Sequence, residues 1–154
     1  MLVNELISEL SKFNKSDFVY FSYDSGDYWD HIIAGKITSV DYKLIDGDYT
    51  VESDWEDEED ADQYEAVTLN NDGYSKDTMT VDELINELRG CNSDDEVYFE
   101  EPQGDYWNRH EFEEVVELSY EQIIYSDYHQ KYKLVSHDSE LENSVQALVL
   151  RSFC

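Results

Sequence analysis

The first 29 residues of the chain recur later in it. Met1–Trp29 aligns with Met79–Trp107 at a constant offset of 78, without a gap, and 16 of the 29 positions are identical. The matches include Val3/Val81, Glu5/Glu83, Leu6/Leu84, Ile7/Ile85, Glu9/Glu87, Leu10/Leu88, the run Val19-Tyr20-Phe21 against Val97-Tyr98-Phe99, and Gly26-Asp27-Tyr28-Trp29 against Gly104-Asp105-Tyr106-Trp107. Whatever the first segment folds into, the second must fold into as well. The copies then drift. They meet again where Glu65-Ala66-Val67-Thr68-Leu69 resembles Gln146-Ala147-Leu148-Val149-Leu150, now at an offset of 81. The chain therefore divides into repeat 1 (residues 1–70), a connector (71–78) rich in turn-forming Asn, Asp, Gly and Ser, and repeat 2 (79–154).

Each repeat opens on a short amphipathic helix. Val3, Leu6, Ile7 and Leu10 stand at i, i+3, i+4 and i+7, one face of a helix. In repeat 2, Thr80 followed by Glu83 forms a capping box, with acids in the first turn and Arg89-Gly90 as the stop. A β-branched and aromatic strand follows, at Phe18–Phe21 and Glu96–Phe99. A second strand is expected over Ile32–Leu44 and over Phe112–Tyr120. Asp46-Gly47 signals a tight hairpin leading into Asp48–Glu52, with counterparts near Ile123–Tyr125 and Tyr132–Val135. Each repeat closes on a strand, Tyr64–Leu69 and Val145–Leu150. The expected fold class is α+β. Each of two tandem units has one helix and about four antiparallel strands, and the units pack with pseudo-twofold symmetry because each alone has too little core.

Charge is the second constraint. The chain has 38 acids and 10 bases, a formal charge of −28. A soluble domain needs a net charge of only about 2–8 in magnitude, and the excess costs stability through self-repulsion. Low hydrophobicity with high charge is a signature of disorder, but 13 Tyr, 6 Phe, 3 Trp and the periodic apolar residues argue for a folded chain. Both repeats are acidic, so the charge is not a tail. Adaptation to high salt would give the same composition without any partner.

On a strand, alternate residues of one face lie about 6.6 Å apart, so carboxylates can form rows. A charge of −28 equals that of about 14 base pairs of duplex DNA. The expected partner-binding acids are Asp54, Glu56, Asp57, Glu58, Glu59, Asp60 and Asp62, then Glu100, Glu101 and Asp105, then Glu111, Glu113, Glu114 and Glu117. The aromatic pairs of the repeated Gly-Asp-Tyr-Trp, Tyr28-Trp29 and Tyr106-Trp107, read either as plugs at the edge of a core or as anchors for an arginine-rich partner. Any exposed tyrosine would serve the second purpose.

Catalytic signatures do not stand out. His31, His110, His129 and His137 are scattered, no G-x-S-x-G or phosphate-cradling glycine loop occurs, and Cys91 and Cys154 lack a nucleophile or metal-ligand context. Asp46-Gly47-Asp48 could attract calcium but lacks EF-hand spacing. We therefore expect no enzyme activity, no cofactor and no metal. The absence of a leader-like or membrane-spanning run points to the cytoplasm. A chain of this charge repels nucleic acid and anionic membranes, so its partners are expected to be basic proteins.

The helix-then-strand opening of repeat 2, Thr80–Leu88 followed by Asp95-Glu96-Val97-Tyr98, resembles the start of small phage and prophage proteins. In size, charge and lack of catalytic motifs the chain is similar to phage-encoded DNA-mimic inhibitors of bacterial defence, of the anti-CRISPR and anti-restriction type. That resemblance implies a stoichiometric inhibitor in the host bacterial cytoplasm. It would occupy the basic nucleic-acid groove of a defence protein such as a CRISPR effector complex. The alternative is an acidic immunity protein that neutralises a basic nuclease toxin.

Overall fold

The two helices form where the apolar spacing requires them. In the computed structural model, which describes residues 1–24, 31–46, 49–50, 63–71, 77–101, 111–127 and 131–152, helix α1 spans Val3–Leu10 and α2 spans Val81–Arg89. Thr80 caps α2 as expected. Its hydroxyl accepts from the Glu83 N–H, and the Glu83 carboxylate accepts from the Thr80 N–H at 3.1 Å. At α1 a leucine stands at the cap, and only the return bond survives, from Leu2 N–H to Glu5 Oε1 at 2.9 Å. Both helices turn their apolar faces (Val3, Leu6 and Leu10; Val81, Leu84, Ile85 and Leu88) into one shared core.

Among the described residues ten strands complete the α+β fold: β1 (Val19–Asp24), β2 (Ile32–Lys36), β3 (Ser39–Asp46), β4 (Tyr49–Thr50), β5 (Gln63–Asn70), β6 (Val97–Glu101), β7 (Glu111–Glu114), β8 (Glu117–Ser126), β9 (Lys131–Leu134) and β10 (Val145–Arg151). A short 3-10 turn, Asp138–Asn143, precedes β10. The expected single strands over 32–44 and 112–120 are each two strands. Neither break carries a turn signal, because the chain does not reverse there. At Ile37-Thr38 and at Val115-Val116 it leaves one sheet and enters the other.

The strands form two closed five-stranded barrels, β1-β10-β8-β9-β2 and β3-β4-β7-β6-β5. Each barrel takes strands from both repeats. The first receives β1 and β2 from repeat 1 and β8 to β10 from repeat 2; the second receives β6 and β7 from repeat 2 and β3 to β5 from repeat 1. Shifting residues by the repeat offsets converts one strand order into the other. Most pairs are antiparallel as expected, including β2/β9 and β4/β7 between repeats, but the other two joints between repeats are parallel. Val19 lies opposite Leu148 in β1/β10, and Val97 lies opposite Val67 in β6/β5.

The backbone bonds at these joints are reciprocal. Val3 N–H donates to Asp95 O at 2.8 Å, and Val81 N–H to Asp17 O at 2.9 Å. Asn4 N–H donates to Ser93 O, and Asp82 N–H to Lys15 O, both at 3.1 Å. Val19 N–H reaches Met79 O, and Val97 N–H reaches Met1 O, both at 3.0 Å. The lone bridges Leu2↔Glu96 and Phe18↔Thr80 exchange in the same way.

Strand alternation sorts the side chains. In the first barrel Tyr20, Ala34, Ile123, Ala147 and Val149, with Tyr132 and Leu134 against them, come from all five strands and fill the interior. Ile45, Ala66, Tyr98 and Phe112, from β3, β5, β6 and β7, fill the second. The opposite faces, Val19, Phe21, Val67, Leu69, Val97, Phe99, Leu148 and Leu150, join the helices and the two crossing residues Ile37 and Val115 in the central core. Gly35 lies opposite Phe21 in the β1/β2 register, and a Cβ there would come within 2.7 Å of the Phe21 ring. A glycine is thus required where the central aromatic ring crosses β2.

Candidate partner-binding surface

Most of the described basic side chains are engaged within the molecule. Lys43, on the inward face of β3, pairs with Glu100 at 2.5 Å, and its ammonium sits 6.0 Å from the centre of the Phe112 ring. Lys133 in β9 is buried. It meets Glu140 at 2.8 Å and Ser136 Oγ at 3.3 Å, which ties the 3-10 turn to β9. The Lys133 ammonium, helped by the Ser136 N–H, lowers the Glu140 carboxyl to about 2. Arg151 pairs with Glu121 across β10 and β8. Lys131 donates to the Tyr23 hydroxyl at 3.1 Å and lies over its ring. Each of these cations lies beside a carboxylate or an aromatic ring, which offsets the hydration that the fold takes from it.

Many of the acids face outward. Glu5, Asp82, Glu83 and Glu87 line the exposed sides of the helices, Asp94 and Glu96 follow α2, and Asp41, Glu65, Asp127, Asp138 and Glu142 are exposed elsewhere. Positions four apart on a helix are neighbours, so Glu83 and Glu87 stack along one flank. The helical acids were not among the expected site residues, although the repeat carries a signal for them: Glu5/Glu83 and Glu9/Glu87 are acidic in both copies, as is Asp17/Asp95 beyond the helices. Asp17 is partly structural, because its carboxylate accepts from the Tyr120 hydroxyl at 2.5 Å.

The expected site residues have separate fates. Asp54, Glu56, Asp57, Glu58, Glu59, Asp60, Asp62, Asp105, Tyr28, Trp29, Tyr106 and Trp107 lie outside the described residues, as do Gly47 and Asp48 of the calcium candidate. Glu101 and Glu111 are direct partners in the β6/β7 register, and Glu113 lies opposite Phe99. Glu114 is exposed and accepts from the Met1 ammonium at 3.0 Å. Glu117 is exposed at the start of β8, opposite Arg151. Residues 111–117 thus run from one barrel to the other across the Val115-Val116 crossing. Glu100 is different. Its side chain is 14% exposed and committed to Lys43.

The tyrosines divide in the same way. Tyr20, Tyr23 and Tyr98 are buried, and Tyr42, Tyr120 and Tyr125 are exposed. Tyr42 and Tyr120 are repeat equivalents, and each hydroxyl holds the loop after the other repeat's helix. The Tyr42 hydroxyl accepts from Asn92 N–H at 2.7 Å, and Tyr120 donates to Asp17.

A cleft of about 390 Å³ opens beside the first barrel, lined by Phe18, Tyr20, Lys36, Asp77, Tyr132 and Gln146 among others. Burial, reinforced by Tyr132 and by the Asp77 carboxylate, raises Tyr20 to about 12. The equivalent positions in repeat 2 and the second barrel carry Glu96, Glu114 and Glu65 in place of Phe18, Lys36 and Gln146. The two sets of positions therefore present surfaces of unlike charge.

Among the described residues no group of three or more His, Cys, Asp or Glu side chains could hold a metal ion, and no helix is long and apolar enough to cross a membrane. Comparison with known proteins gives no matching family model, no matching curated protein and no matching solved structure.

Proposed function

We propose that the protein is a stoichiometric, non-catalytic inhibitor of a nucleic-acid-binding bacterial defence protein, an anti-CRISPR protein that acts in the host cytoplasm as a DNA mimic in a basic groove. The observation that carries this reading is the sorting of charge. Lys43, Lys133 and Arg151 are neutralised by carboxylates within the fold. The net charge of −28 is therefore expressed mainly at the surface. A cationic groove would meet fixed carboxylates on strands and helices, at spacings of about 5–7 Å. The attraction would steer encounter and weaken with salt.

The reading includes a view of the fold. The repeats are two copies of one unit related by an approximate twofold axis, and they pack as the subunits of an isologous dimer do, residue i on j and j on i. Reciprocal bonding across the offset supports it, as does the shared strand order. This interlacing would give the surface acids a stiff frame, and electrostatic recognition is stronger when the charges need no reorganisation.

The experiment is a capture from bacterial lysate on the immobilised protein at low salt, with elution first by duplex DNA and then by high salt. The proposal expects nucleic-acid-binding proteins that leave in the DNA step. Captured proteins indifferent to both eluents would refute it.

A further inference from the structure

We infer that the surface joining the two repeats also takes a second copy of this chain, so that two chains exchange repeats and each barrel pair is completed across molecules. Neither repeat supplies a whole barrel. Repeat 1 alone would leave β1 and β2 without β8 to β10, and β3 to β5 without β6 and β7. Detached from its neighbour, repeat 1 carries the open edges of β1, β2, β4 and β5, repeat 2 those of β6, β7, β9 and β10, and each an apolar helix face. Such edges are templates for another chain. The only edge partner that restores every bond is the other repeat, and a second molecule offers the same one.

The path between the repeats does not forbid this. Residue 70 and residue 79 are both anchored at the Ile37-Thr38 crossing, by Asn70 O to Thr38 N–H and by Ile37 O to Met79 N–H, each at 2.8 Å. Residues 71–78 join the repeats along the chain, and in an exchanged dimer they would run from one molecule's pair of barrels to the other's.

Charge opposes the meeting of two chains of −28 each. Salt screens that repulsion, with a Debye length of about 10 Å at 0.1 M and about 3 Å at 1 M. Exchange should therefore increase with ionic strength, the opposite of what partner capture should do. This inference stands on the strand pairing and not on the identity of any partner, and the two can fail separately.

The test uses full-length chains in which Cys91 and Cys154 are replaced by serine. One chain carries Leu2→Cys and the other Glu96→Cys, at the two sides of a single antiparallel bridge. Cβ atoms of such partners lie about 4.5–5.5 Å apart, close to disulfide reach. A single chain with both substitutions is the control and should close an intramolecular disulfide with oxidised glutathione. The two single variants are unfolded together, refolded at high concentration and oxidised in the same way. The expected result is an interchain disulfide in a dimer with native circular dichroism, several-fold more abundant at high salt, and absent when the folded variants are only mixed. Should Leu2→Cys impair folding, Phe18→Cys with Thr80→Cys probes the reciprocal bridge. A closing control with no interchain disulfide after co-refolding at high salt would overturn the inference.

Discussion

Phe21 and Phe99 stack with ring centroids 5.0 Å apart and planes 25° apart, and each is the other's equivalent across the 78-residue offset. Both are fully buried at the centre of the shared core. A residue that packs on its own counterpart is what the proposed twofold relation of the repeats requires at its axis. Removal of either ring should cost about 3–5 kcal/mol. Because the two rings share one contact, Phe21→Ala with Phe99→Ala should cost less than the sum of the single losses, by about 0.5–3 kcal/mol. Urea unfolding of the four proteins in the cycle measures this. A single transition, the same by far- and near-ultraviolet circular dichroism, is expected, since neither barrel can open without breaking the other.

Two of the acids expected at the partner surface should behave differently. Glu117→Lys changes an exposed residue and should leave the unfolding midpoint within a few degrees of wild type while reducing partner capture about tenfold or more. Glu100→Lys sets two ammonium groups together where Lys43 now has a carboxylate, and should destabilise by about 3–5 kcal/mol. Thermal melts beside capture assays separate the two effects.

Tyr20 gives the fold an alkaline limit. Its hydroxyl is raised to about 12 by burial, with Tyr132 and Asp77 adding to the shift. In the unfolded chain it ionises near 10. A folded value above the unfolded one means that the stabilisation is fully present below pH 10 and is lost between pH 10 and about 12. Tyr20→Phe should flatten the fall in stability over that window. Urea midpoints measured from neutral pH to pH 11 test it, and an unchanged slope would count against the buried hydroxyl as its source.

The ends of the described chain adjoin each other as the ends of the connector do. Arg151 O accepts from Val116 N–H, and Val115 O accepts from the Met1 ammonium, both at 2.8 Å. These match the bonds that Asn70 and Met79 make at Ile37-Thr38. A circular permutant opened within residues 72–76, with Cys154 joined to Met1 through about five residues, should fold to the same circular dichroism spectrum. Its melting temperature should fall by only a few degrees, since the Met1–Glu114 ion pair that it disturbs is worth about 1 kcal/mol or less.

Local structure was legible in the sequence where local chemistry decides it. Thr80 and Glu83 marked the start of α2, and Arg89 followed by Gly90 marked its end. The closing strands were legible from their β-branched runs. Strand partnership was not, because periodicity says which face of a strand is buried and nothing about what lies beside it. Lys36-Ile37-Thr38 and Glu114-Val115-Val116 read as unbroken strand, yet the chain changes barrels at both. For the same reason Glu100 looked like its neighbour Glu101. Only the placement of Lys43 across the interior of the second barrel turns it into a structural residue. The acids of α1 and α2 are visible as repeated identities, whereas the strands offer evenly spaced rows of charge.

The central claim is that a basic groove accepts this protein in place of a polynucleotide. The most direct measurement is the affinity for a purified captured partner over a series of salt concentrations, with and without competing duplex DNA. The account predicts that the logarithm of affinity falls steeply and linearly with the logarithm of salt, and that DNA and the protein exclude each other from one site. An affinity that stays level as salt rises, with protein and DNA bound together, would contradict it.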